Sequence, residues 1–198
     1  MAVPPHDTLD SMAWVVGAAG ILLALLFWRL PYDASKDTFQ DTTKAKSFAI
    51  AFGLLGLYLL INGLLIIIIW PFGNIGGGVY DVLYGGSSAI GGILLLGIAF
   101  SLYLNTGLRA ISYFAFIAAL YSFNDVFAIL ANRLSRTPEL AAFAYLMFGL
   151  TAILSVPLTH INNKATRWAF IIVALIFGIT WLFMASTFTI GHLQAPVK

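Results

Sequence analysis

The sequence predicts an all-α fold: a polytopic membrane bundle of about six transmembrane helices, with both termini outside. Three observations carry this. Of the 198 residues 61% are hydrophobic and only 9% charged, and the mean hydropathy of +0.95 exceeds what a small soluble fold can hide from water. Six apolar stretches each approach the roughly 20 residues that cross a bilayer. The breaks between them are too short for an extramembranous domain, so residues 1–198 read as a single transmembrane domain.

The spans fall at about 12–30, 47–71, 79–104, 110–131, 138–158 and 167–191. The first follows a tail without the basic region of a secretory signal and ends in Trp28-Arg29, with no small-residue cleavage site. It is expected to be retained. The longest break, Pro31 to Lys46, alternates in charge and has the pattern of a short surface helix. Before the third span, Gly76-Gly77-Gly78 frees the backbone for a tight loop or a re-entrant turn. The fifth span opens on Thr137 as N-cap, Pro138 in the first turn and Glu139 near the positive end of the helix dipole, and Pro157 falls close to its end. Small residues four apart (Gly20/Ala24, Ala49/Gly53, Ser88/Gly92, Gly97/Ser101) would let helices approach closely in lipid.

Orientation follows from lysine and arginine. With the N-terminus outside, Arg29, Lys36, Lys44, Lys46, Arg109, Lys164 and Arg167 lie inside, against Arg133, Arg136 and Lys198 outside. Trp14, Trp28, Trp70 and Trp168 fall near span ends, as an aromatic belt requires. The expected location is the cell (plasma) membrane.

Cysteine is absent, which excludes disulfides, iron–sulfur clusters and thiolate zinc sites. The net charge of +2 forms no basic stripe, so nucleic acid is not an expected partner. No nucleophile motif or phosphate-loop spacing occurs. His160 sits at the inner interface and His192 at the outer end of the sixth span; no deep histidine pair supports a haem or metal site. No cofactor or metal is expected, beyond contact with lipid or quinone.

Asp125 is the residue that calls for an explanation. A carboxylate within hydrocarbon costs roughly 2.5–3.5 kcal/mol on the insertion scale unless it is paired or hydrated. Ala118, Tyr121, Asp125, Ala128 and Asn132 share one helical face, small and polar, which should turn into the bundle. Two readings stand side by side: a proton-relay or cation site, and a structural carboxylate capped by Asn62, a tyrosine or a helix end. Asp125, Asn124, Tyr121 and Asn62 are the embedded polar candidates. Asp81, Tyr80, Tyr84 and His192 are the candidates for an outward-facing pocket.

At Tyr80-Asp81-Val82-Leu83-Tyr84-Gly85 and the closing Gly191-His192-Leu193, the chain resembles a family of uncharacterised multi-pass membrane proteins of archaea and some bacteria, a domain of unknown function (981). The resemblance covers nearly the whole chain. It implies a helical bundle in the cell membrane and brings no catalytic residue. Gly76-Gly77-Gly78-Val79-Tyr80-Asp81 also resembles the glycine segment of trimeric intracellular cation channels, but lacks that family's arginine and a second copy. The first expectation of function is an integral, accessory subunit of a larger membrane complex, respiratory or redox, without chemistry of its own. Its partners would be lipids, other membrane subunits or further copies of itself. The alternative is a small stand-alone channel or transporter for protons, cations or a small solute, using Asp125. A membrane enzyme comes third.

Overall fold

A computed structural model describes residues 9–71, 73, 78–161 and 163–193, with side chains through residue 190. Six helices long and apolar enough to cross a membrane make up almost all of it: α1 (Leu9–Arg29), α2 (Thr42–Ile69), α3 (Ser87–Leu104), α4 (Arg109–Asn132), α5 (Pro138–His160) and α6 (Lys164–Leu193). At ~1.5 Å per residue α1 reaches about 31 Å, and α3, with the helical turn Asp81–Gly86 that leads into it, about 36 Å, enough for the hydrocarbon core. The protein is therefore a multi-pass membrane protein.

The helices follow one another around a ring, each packed on the next, and α6 closes the ring against α1. An even number of antiparallel elements brings both described ends of the chain to the same side. The packing is uneven. The closest pairs are α2–α3, α1–α6 and α4–α5, and small residues explain why. A Cβ at Gly63 would lie 2.5 Å from the Ala89 backbone nitrogen, and one at Gly92 the same distance from that of Leu60. On α1–α6 a Cβ at Gly20 would meet the Gly178 backbone at 2.7 Å. Backbones in lipid associate through such close packing, since burying apolar surface gains little there. In α4–α5 buried alanines do the same work, and Ser122 Oγ donates to the Tyr145 carbonyl at 2.7 Å.

The break between α1 and α2 is a hairpin and not the surface helix its charge pattern suggests. Tyr32–Asp33 (β1) pairs antiparallel with Thr38–Phe39 (β2). Asp33 Oδ1 accepts from the Ser35 N–H at 2.9 Å and the Ser35 hydroxyl at 2.6 Å, a local bond that competes with helix. Asp37 adopts a left-handed backbone with φ of 55°. Tyr32 and Phe39 are both buried and pack at tilted and edge-on angles against each other and Phe27. Charge alternation here marks the solvent face of a turn. Helix resumes early, at Thr42, because Asp41 accepts from the Lys44 N–H at 2.9 Å and caps α2.

The hairpin is locked to the bundle. The Asp37 carboxylate accepts from the N–H groups of Leu108 at 2.8 Å and Arg109 at 3.3 Å, at the N-terminus of α4, and from the Tyr32 hydroxyl. Arg109 donates to the carbonyls of Ala34 and, at 3.4 Å, Thr159. Gly107, with φ of +85°, lets the chain pass directly over Asp37, where a Cβ would collide with its carboxylate. Arg167 donates to Phe27 O at 2.7 Å and Trp28 O at 3.3 Å, satisfying carbonyls left open at the end of α1.

Thr137 holds the N-cap position of α5 with Pro138 in the first turn, yet its side chain makes no capping bond. Glu139 instead faces Arg133 at 3.6 Å. Pro157 lies inside α5, which continues to His160.

Candidate functional site

The ring encloses a cavity of about 120 Å³ to which all six helices contribute wall. Most of the lining is apolar: Ala19 and Leu23 from α1, Leu59 from α2, Leu94 and Leu95 from α3, Phe170 and Phe177 from α6. Set into it are Ser87 and Ser88 of α3, Tyr121, Ser122 and Asp125 of α4, Tyr145, Thr151 and Ser155 of α5, and Trp181 of α6. At about 30 Å³ per molecule the space equals roughly four waters, or one solute of a few heavy atoms.

Asp125 is 8% exposed and lies about 7 Å past the middle of α4, well within hydrocarbon depth. Its Oδ2 is 2.7 Å from Ser87 Oγ, which is also 2.6 Å from the Leu83 carbonyl. The serine has one proton for two acceptors. It either donates to the carboxylate, or donates to Leu83 while a protonated Asp125 donates to it. Leu83 belongs to a π-helical turn, Asp81–Gly86, that leads into α3. Such a turn widens the helix at this end of the cavity, a feature frequent at functional sites.

Three further hydroxyls have already committed their protons to main-chain carbonyls. Ser122 donates to Tyr145 O, Thr151 to Met147 O at 2.8 Å and Ser155 to Ala152 O at 2.6 Å. What they turn toward the cavity is lone pairs. The indole N–H of Trp181, whose ring meets Tyr145 edge-on, is buried without a hydrogen-bond partner among the described residues. At these three positions the wall presents acceptors, with the indole donor held close behind it.

On the hairpin side, one turn beyond Ala115 and Ser155, Ser112 and Thr159 are both 2% exposed and joined at 3.0 Å. Arg109 covers them. His160 lies outside this seal, with Nδ1 2.9 Å from Val156 O and Nε2 2.8 Å from the Tyr113 hydroxyl. At the opposite end Leu83, Ile129, Ala141 and Tyr145 are buried in one apolar cluster, with Tyr80 and Tyr84 packed against it. Outside the membrane, burial and the neighbouring Asp37 carboxylate raise the Tyr32 hydroxyl's pKa far above its usual value.

The structure brings Asp125 and Tyr121 together at the cavity, though the tyrosine donates to Val82 O at 3.4 Å and not to the carboxylate. Asn62 lies off the cavity wall, donating to Tyr58 O one turn back on its own helix at 2.8 Å. Depth along a helix says nothing of the direction in which a side chain points. Asn124 is exposed on the outer surface of α4. Asp81 is completely buried and not at an open outer face. Tyr80 and Tyr84 stack at 6.1 Å, only partly buried. The His192 side chain lies outside the described residues. Among the described residues no three acidic or histidine side chains converge as metal ligands.

Ser87, Ser122, Tyr145, Thr151, Ser155 and Trp181 carry no mark of a site in the sequence, and Ser88 is marked there only as a packing residue. One signal was available: Tyr145, Phe148, Thr151 and Ser155 recur every three or four residues, which puts three hydroxyls on one face of α5.

These features define a class: a six-helix membrane protein built around an internal, sparsely polar cavity. A family model described as "Protein of unknown function (DUF981)" matches residues 1–195, and the chain belongs to that family. No curated protein matches it. Among solved structures, the cryo-EM structure of the Helicobacter pylori urea channel in its closed state has the same fold. The TM-score is 0.70 at 15% identity, over 94% of this chain and 100% of that one.

Proposed function

We propose that this protein is a channel of the cell membrane for small uncharged solutes that carry N–H donors, with simple amides the best fit. The observation that carries this reading is the cavity itself, walled by all six helices and sized for one small solute. The hydroxyls of Ser122, Thr151 and Ser155 offer lone pairs, which suits N–H groups, and a solute carbonyl entering beside Trp181 would satisfy the indole N–H. A bare metal cation sheds its water only where a ring of oxygens replaces it, and here one carboxylate stands in a mainly apolar wall. The fold's likeness to a urea channel supports conduction over the accessory-subunit reading.

The test is stopped-flow light scattering on liposomes holding the purified protein, with formamide, urea, acetamide, glycerol and sodium as solutes. Amide entry should exceed that of protein-free vesicles many-fold, with sodium at background. Asp125→Asn, which keeps a partner for Ser87, should leave amide entry within a few-fold. Background entry for every amide would overturn the reading, and sodium or proton flux abolished by Asp125→Asn would replace it with a cation pathway.

A further inference from the structure

Asn124 stands on the outside of the ring. It is exposed, about 5 Å from the middle of α4, and none of its amide groups has a hydrogen-bond partner among the described residues. Around it the surface is apolar: Ile117 is 58% exposed, Leu120 47% and Phe127 71%. At this depth lipid offers an amide nothing to bond, and each unsatisfied donor or acceptor is costly. A helix in a monomer would do better with leucine here.

We infer that this face of α4 is the contact between two copies of the chain, joined across a twofold axis by Asn124. Tyr113, Ile117, Leu120, Asn124, Phe127 and Ala131 are spaced alternately four and three residues apart and all exposed. That is the seam of a left-handed helix pair, with Asn124 at an a-type position, where a lone asparagine sets register and the number of strands. Two copies inserted the same way around in one membrane present their α4 helices in parallel, so the two Asn124 side chains meet at equal depth. An asparagine carries donors and an acceptor, so a second asparagine completes it. Such a residue is complementary to itself, as a twofold contact requires. The charged residues of α4's surroundings lie at the membrane faces, where they do not oppose the seam. The proposal is independent of what the cavity conducts.

The chain has no cysteine, so Asn124→Cys introduces a single reporter. Oxidised in the membrane, it should give a dimer-sized band, whereas Phe183→Cys, exposed on α6, should not. By subunit counting in liposomes, Asn124→Leu should weaken self-association roughly tenfold, the scale of interhelical hydrogen bonds in lipid, and Asn124→Gln should largely restore it. Amide entry per chain should stay the same in all three. No dimer from Asn124→Cys, equal cross-linking from Phe183→Cys, or a band at the mass of a different protein would each overturn the inference. So would an Asn124→Leu protein that associates as the parent does.

Discussion

Thr151→Val is the sharpest probe of the acceptor-lined cavity. It replaces a hydroxyl by a methyl of nearly the same size, so the cavity volume hardly changes. Thr151 is 4% exposed, and its hydroxyl donates to the Met147 carbonyl one turn back. That carbonyl is already placed to serve the helix ladder, so losing the extra bond affects α5 little. What the cavity loses is one acceptor. A solute N–H passing through gives up a hydrogen bond worth about 1 kcal/mol net, or roughly a fivefold drop in amide entry at 1.4 kcal/mol per decade. Adding Ser155→Ala removes the acceptor one turn further along, and about 2 kcal/mol in all would give roughly 30-fold if the two act independently. Stopped-flow entry of formamide and urea reads both, with circular dichroism and detergent melting to show intact folding. Folded variants that pass amides at the parent rate would refute the argument that these lone pairs matter.

Other consequences concern the frame of the ring. Gly92→Ala places a Cβ 2.5 Å from the Leu60 backbone nitrogen, so α2 and α3 must separate; a loss of about 2 kcal/mol is expected, read from the midpoint of denaturation in mixed micelles. Gly107→Ala forces a Cβ onto a +85° φ and against Asp37, at a cost of about 1–3 kcal/mol, and limited proteolysis should then cut the hairpin first. In acid the same region should loosen. The Ser35 hydroxyl and N–H hold the Asp33 carboxyl below its usual range, and the Lys44 N–H does the same for Asp41. A depressed folded pKa contributes stability that is complete above the unfolded value of about 3.9 and lost as pH falls through the folded one. Hydrogen exchange at residues 32–45 should therefore quicken below about pH 4, while exchange in the mid-membrane helices stays unchanged.

The fold was legible because lipid leaves a chain few options. A run of about 20 apolar residues must satisfy its own backbone, so composition and spacing alone announce six helices. The hairpin was less legible, since the Asp33–Ser35 bond and the burial of Tyr32 and Phe39 on Phe27 depend on a tertiary surface. The site was legible only within α4. Helical periodicity grouped Tyr121 with Asp125 on one face, and both line the cavity. Between helices span position gives depth alone, so Asn62 looked like a partner for Asp125 although it bonds to its own helix, and Asn124, beside Asp125 in sequence, faces outward. Serines and threonines escaped because they are ordinary in membrane helices. Only the closed ring of six helices gives Thr151, Ser155 and Ser122 a common space to line.

That space also offers a test between a scaffold and a conduit. If dry, a cavity of 120 Å³ forgoes about 3 kcal/mol at ~24 cal/mol per Å³, which is large beside the stability of a small domain. A bundle serving only as structure would gain by filling it. Yet Ala19, Ala115, Ala152 and Gly91 all line it, and a Cβ added at Gly91 would meet nothing within 4 Å. Glycine inside a helix also gives up about 1 kcal/mol relative to alanine. Both terms point the same way, so Gly91→Ala should raise stability by about 1 kcal/mol, and Gly91→Leu should add the benefit of a filled void. For a scaffold the leucine variant is simply the better protein. For a conduit it is a plug, more stable than the parent and closed to amides, the trade expected where function needs open space. Denaturation midpoints and amide entry measured on the same preparation separate the two. A Gly91→Leu protein that is stabilised and still conducts would show that the solute path lies elsewhere.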